Sequence, residues 1–298
     1  DKNSFSQPTT RKFKTYKHID MPDNFNQKMI KHFNSKNFKT FFIKNKKTNN
    51  LESVFKKFSI SKYSYDNFQY GWYVLNYHHI VNSGWTSQNF KYKVPRIYTE
   101  ISNFKNHIHY LKSKFEFISI TEGLKALRED NISDRYLLSI TFDDGLSSYN
   151  EVATFLKDNN VIPTLFINSN PIIYKTPLFN HLNLFLNEYG IKNNQDLPLN
   201  INSYLQAQNY IGEKFSYFVE NQYLSKTKIK TLLKKNMIEL GTHTKSHKYL
   251  NMNDNDILDN EIILCHQKLE KVIGEKIRYF SFPFGNLGDY NYRAELLA

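Results

Sequence analysis

The 298-residue chain has a single cysteine, Cys265, which excludes an intrachain disulfide and any cysteine-rich zinc module. No apolar run approaches the length of a bilayer span. The opening Asp1-Lys2-Asn3-Ser4 is neither an initiator methionine nor a signal peptide, so a leader or anchor removed ahead of it is one expectation. Acidic residues are scarce at one end only. Residues 1–62 hold 15 Lys/Arg against 4 Asp/Glu and carry nearly all of the formal charge of +12. Such a segment suits contact with an anionic membrane surface or an acidic glycan, with a solvated arm as the plainer reading. No nucleic-acid module accompanies the charge, so nucleic-acid binding is not expected.

Aromatic residues are abundant, with 21 Tyr and 24 Phe; core padding is the first reading of them, ahead of sugar stacking. At 40% hydrophobic, the chain can build one large domain with an appendage. Residues 1–70 read as a basic N-terminal extension or small subdomain, with a candidate strand Phe38–Ile43 and a candidate helix Leu51–Phe58. From Tyr73 onward, β-rich runs alternate with amphipathic stretches, the signature of βα units. The predicted strands are Tyr73–Tyr77, Phe115–Ile120, Tyr136–Phe142, Thr164–Asn168, Met237–Leu240 and Tyr279–Phe282. The predicted helices are Ile101–Lys112, Thr121–Glu129, Ser147–Asp158, Thr227–Lys235, Asp256–Val272 and a terminal Tyr290–Leu297. In the fifth, Ile257, Leu258, Ile262, Leu269 and Ile273 form a core-facing stripe. An Asn- and Tyr-rich insertion at about 170–225 interrupts the alternation where a loop would shape substrate access.

Four predicted strand ends carry unusual chemistry. Thr141-Phe142-Asp143-Asp144-Gly145 delivers adjacent carboxylates to one of them, which is unfavourable unless a cation is shared or their roles differ. In His243-Thr244-Lys245-Ser246-His247, imidazoles four residues apart can converge on one metal ion. Tyr77-His78-His79-Ile80 ends an apolar strand, and Phe280-Ser281-Phe282-Pro283-Phe284-Gly285 ends another. In a βα barrel such ends meet around one mouth. His79, His107, His109 and His266 read as packed or solvent-facing rather than as ligands.

In this order the motifs resemble the polysaccharide deacetylase family (NodB homology, carbohydrate esterase family 4). The leading Leu75-Asn76-Tyr77-His78-His79-Ile80 and the Phe-Ser-Phe-Pro-Phe-Gly run are similar to the poly-N-acetylglucosamine deacetylase branch. The resemblance covers about residues 73–290. It implies an α/β fold, a distorted (β/α) barrel over residues 71–298, with one divalent metal, usually zinc, and cobalt or nickel as alternatives. It also implies Asp144, His243 and His247 as metal ligands, Asp143 as general base and His78 as general acid. A backbone N–H near Phe284 would hold the oxyanion, with Pro283 and Tyr77 lining the groove. The implied substrate is an N-acetylated glycan, which favours an exported or envelope-associated protein. The chain departs from the wider family at Ser281, where an arginine often orients the catalytic aspartate, and in having no match to the later Asp- and His-containing motifs. Other readings are a small-amide amidohydrolase, a glycan O-acetyl esterase, and a glycan-binding protein whose site has decayed.

Overall fold

Alternation with period two shapes the sheet. Strand β1 (Gly71–Tyr77) pairs in parallel along its whole length with β5 (Tyr136–Phe142), Leu75 opposite Ile140 and Tyr77 opposite Phe142. Tyr73, Leu75, Tyr77, Leu138, Ile140 and Phe142 turn to one side and join the main apolar core. Trp72, Asn76, Ser139 and Thr141 occupy the other side, where Trp72 Nε1 donates to Ser139 Oγ at 2.8 Å. The far edge of β5 holds β4 (Glu116–Phe117) at its start and β6 (Thr164–Ile167) at its end. Strands β7 (Glu239–Thr242) and β8 (Tyr279–Phe280) follow, all parallel, and a separate pair joins β2 (His79–Val81) to β3 (Tyr98–Glu100). Among the described residues the main sheet runs β1-β5-β6-β7-β8 without pairing its two edges, so it is a curled half-barrel of the α/β class expected from the βα alternation.

This computed structural model describes residues 70–82, 98–129, 131–132, 134–178, 181, 219–285 and 288–298. The basic segment 1–62, the candidate elements Phe38–Ile43 and Leu51–Phe58, and most of the 170–225 insertion lie outside the described residues.

Helices cover the Tyr77 and Phe142 face of the sheet, except that the helix after Ser119 packs against Trp72 and Leu137 on the other face. Helix α1 (Ile101–Lys112) matches its predicted bounds and buries Phe104, Ile108 and Leu111. Phe104 is wholly buried and meets Tyr77, Phe142 and Phe155, a burial that contributes up to about 3 kcal/mol. Helix α2 (Ile120–Arg128) starts on a capping box: Ser119 Oγ accepts from Glu122 N, and Glu122 Oε2 accepts from Ser119 N. That box shortens the predicted Phe115–Ile120 strand, because Ser119 leaves the ladder to cap the helix. Helix α3 (Asn150–Asp158) follows a short 3₁₀ turn, and α4 (Lys226–Lys234) is capped by Ser225.

Strand β7 begins two residues later than Met237, because Asn236 adopts φ 51° and Met237 N still bonds to Leu232 O as α4 closes. The shift carries Thr242 into the strand and leaves His243 at its very end. The predicted long helix 256–272 is α5 (Asn255–Asp259) and α6 (Cys265–Ile273) joined by a π-helical turn, Asn260–Leu264. Leu258, Ile262, Leu269 and Ile273 are buried as the stripe predicts, but Ile257 is exposed. The widened turn instead brings Glu261 inside. Helix α7 (Tyr292–Leu297), capped by Asn291, ends the chain.

Candidate metal centre

The first residue after each of three strands continues the inner-face alternation. His78 follows Tyr77, Asp143 follows Phe142, and His243 follows Thr242. Asp143 N bonds to Tyr77 O at 3.0 Å and His243 N to Ile167 O at 2.8 Å, so the ladder holds these residues at one level. His78 Nε2 lies 4.0 Å from Asp143 Oδ2, and His243 Nε2 lies 3.8 Å from the same oxygen.

Beyond the strands the chain turns hard. Asp144 has φ 67° and Gly145 φ 63°; Thr244, His247 and Phe284 also have positive φ. For non-glycine residues such backbone is held only when the surroundings over-determine it, and it gathers at functional sites. Here the surroundings are specific. Thr244 Oγ1 accepts from His247 N at 3.0 Å, and Asn168 donates to Thr244 O. The buried Glu261 carboxylate accepts from Ser246 N at 2.8 Å and Ser246 Oγ at 2.6 Å, while Glu261 O accepts from Lys245 N. The π turn in the helix thus aims Glu261 at the loop carrying His243 and His247; such turns recur at functional sites.

The outcome is a buried cluster of Asp144, His243 and His247 whose ligand atoms lie within 4.8 Å of one another. Asp144 Oδ1 is 3.9 Å from His243 Nε2 and 3.5 Å from His247 Nε2. His243 Nδ1 sits 2.8 Å from Ser281 O. A carbonyl only accepts, so the proton is on Nδ1 and the neutral ring turns the Nε2 lone pair into the cluster. That nitrogen is buried without a hydrogen-bond partner among the described residues. Burial, reinforced by His247, pushes the His243 imidazole well below its ordinary range. Burial alone would raise the Asp144 carboxyl, but His247 and His181 outweigh it and hold the group well below the usual carboxylate range. A carboxylate with neutral imidazoles is the donor set of a divalent-metal site that keeps positions open; these residues could hold such an ion.

Some sequence expectations land elsewhere. The Tyr77 side chain, expected in the groove, is packed in the core on the opposite face, its hydroxyl 3.3 Å from His107 Nδ1. Only its backbone reaches the site. Pro283 and Phe284 lie beside the cluster in a tight turn where Gly285 N bonds to Pro283 O. The Phe284 and His247 rings meet in a T-shaped contact, and the exposed Tyr249 stacks on Phe284 with centroids 4.0 Å apart. His107 is buried, His109 is exposed, and His266 pairs with Glu270. His79 packs near the cluster, where burial, aided by His181, lowers it to about 4.

Three residues escaped the sequence reading. Asn76 donates to Asp143 Oδ2 at 3.0 Å; its one signal was the spacing of two from His78 on a strand. His181, buried within the insertion, places Nε2 3.4 Å from Asp144 Oδ2 and Nδ1 2.6 Å from Tyr223 Oη. Tyr223 bridges to Leu146, and Leu224 N bonds to Gly145 O. The closing ends of the insertion are therefore pinned to the Asp143-Asp144-Gly145 turn. Nothing in the local sequence marks His181, or Glu261 inside an amphipathic helix.

Fold and cluster together define a parallel α/β half-barrel with an Asp-His-His group at the C-terminal ends of its strands. The profile of the polysaccharide deacetylase family matches residues 131–296, more than half of the chain, and the chain belongs to that family. Among solved structures it is similar to the Streptococcus pyogenes deacetylase PplD, determined in complex with acetate (17% identity, TM-score 0.51, 75% of this chain and 77% of that one). IcaB from Ammonifex degensii (16%, TM-score 0.52, 76% and 79%) and a de-N-acetylase from Aggregatibacter actinomycetemcomitans (17%, TM-score 0.50, 75% and 82%) are comparable. At these identities the likeness is one of fold. No match was found among curated proteins.

Proposed function

We propose that the protein hydrolyses N-acetyl groups on amino sugars of a poly- or oligosaccharide, with Asp143 as base and His78 as acid. Family membership implies an acetylated polysaccharide as substrate. The observation that carries the finer reading is the convergence of His78 and Asp143 on the Asp144–His243–His247 cluster at one level of the sheet.

Asp144, His243 and His247 would hold a divalent ion, zinc or alternatively cobalt or nickel. When bound, such an ion polarises an amide carbonyl and lowers the pKa of water. Asp143 accepts a proton from the attacking water as its oxygen bonds to the carbonyl carbon. The backbone N–H at Phe284 donates to the oxyanion that develops. His78 gives a proton to the amide nitrogen as the C–N bond breaks, since an amine cannot leave as an anion. The products are acetate and a free amino sugar. A sugar ring is favoured over a small amide by the exposed face of Tyr249, stacked on Phe284 beside His247, because aromatic faces pack well on pyranose C–H groups. A glycan of the cell envelope would place the protein at or outside the membrane, with residues 1–62 as a basic contact to that surface.

The test is acetate release from N-acetylglucosamine oligomers with added zinc, cobalt or nickel, comparing wild type with Asp143→Asn. Metal-dependent release that Asp143→Asn abolishes is expected. No release from several N-acetylated glycans sinks the proposal. Release from O-acetylated glycans alone would make the protein an esterase, and glycan binding without release would make it a decayed binder.

A further inference from the structure

Where an arginine often orients the catalytic aspartate, this chain has Ser281. Ser281 does not replace it: its carbonyl is used on His243 and its hydroxyl has no hydrogen-bond partner among the described residues. We propose that Asn76 is the positioning residue for Asp143, and that Thr141 holds the Asn76 amide in the orientation this requires. The inference rests on Asp143 being the base.

Asn76 and Thr141 face each other across β1 and β5 in register, both buried, on the same inward row as His78 and Asp143. Asn76 Nδ2 donates to Asp143 Oδ2 at 3.0 Å, and Thr141 Oγ1 donates to Asn76 Oδ1 at 2.8 Å. The direction of this relay follows from donor and acceptor capacity. A carboxylate only accepts, so the amide nitrogen must face Asp143; the amide oxygen then faces Thr141, whose hydroxyl must donate. The Asp143 backbone is already tied to Tyr77 O. The Asn76 hydrogen bond opposes rotation of the carboxylate away from this position.

What the rotation would do is visible in the same geometry. His78 Nε2, His243 Nε2 and Asn76 Nδ2 approach the same oxygen, at 4.0, 3.8 and 3.0 Å, and His243, with its proton on Nδ1, has none to donate from Nε2. Released by Asn76, Oδ2 can close on His78, pairing the proposed base with the proposed acid instead of with the reacting groups. A neutral amide thus does by hydrogen bonding, from the first strand, what a guanidinium at position 281 would do by charge.

The experiment measures kcat and KM for acetate release, bound metal per chain and far-UV circular dichroism. The variants are Asn76→Ala, Thr141→Val, Thr141→Ser and, as reference, Asp143→Asn. Asn76→Ala is expected to lower kcat about 100-fold with KM changed by less than about threefold, as misplacing a reacting group does. Bound metal should stay at the wild-type level. Thr141→Val, nearly isosteric but without the hydroxyl, should lower kcat about 10-fold, and Thr141→Ser should restore most of that loss. A kcat for Asn76→Ala within about twofold of wild type overturns the inference, as does equal behaviour of the two Thr141 variants. Loss of bound metal in step with kcat also overturns it, since Asn76 would then shape the cluster rather than the base. Should Asn76→Ala fail to fold, the Thr141 pair decides alone. An active Asp143→Asn removes the base reading itself; an inactive one beside an active Asn76→Ala removes only this inference.

Discussion

Changing Glu261 to glutamine tests how the two-histidine loop is held. Its carboxylate is buried at 3% exposure and accepts two hydrogen bonds from Ser246, at 2.8 and 2.6 Å. Glutamine keeps the volume, so no cavity forms. It offers one oxygen, and its amide nitrogen points at a donor that then goes unmet. A hydrogen bond to a charged group contributes about 1.5–3 kcal/mol, and stranding a buried donor costs about 1–3 kcal/mol. These overlap, and a net destabilisation of about 2–4 kcal/mol is expected. For a domain of this size that lowers Tm by roughly 4–16 °C. Because Ser246 lies between the histidines, metal affinity should fall about 10-fold or more, as for other residues that orient ligands. Thermal denaturation by circular dichroism and zinc affinity by chelator competition read the two effects. A Glu261→Gln protein with wild-type Tm and wild-type zinc affinity would refute the claim that Glu261 braces the loop.

Replacing His181 with alanine should weaken metal binding about 10–100-fold, because the contact to Asp144 Oδ2 orients that carboxylate; competition with a chromogenic chelator checks it, and unchanged affinity counts against the role. A pH effect should come from His107, which burial lowers to about 3. The fold keeps this ring neutral while the unfolded chain protonates it near its ordinary 6.5, so stability falls as pH drops from about 6.5 towards about 3, at up to about 1.4 kcal/mol per unit. Urea denaturation at several pH values should show a shallower decline for His107→Gln than for wild type; parallel slopes would contradict the assignment.

How much was readable in advance differed by element. Tyr136–Phe142 and Ile101–Lys112 are local patterns, an apolar β-rich run and an amphipathic helix, and both stand at their predicted bounds. Boundaries failed where a side chain or backbone turn competes with the ladder, as at Ser119 and Asn236. Ile257 left its stripe because the π turn after it changes the phase of the helix.

The metal cluster shows the same division. By itself the sequence determined which residues stand at the strand ends, since alternation and turn chemistry are local properties: Asp143-Asp144-Gly145, His243 with His247, and His78. Only the tertiary structure decided what surrounds them. Tyr77 turned into the core because its neighbour His78 faces the site and the period is two. His181 reached Asp144 through the closing ends of an insertion, Glu261 reached Ser246 through a widened helical turn, and Asn76 met Asp143 across a strand register. Each of these contacts joins residues distant or unmarked in sequence, and their direction is set by packing rather than by pattern.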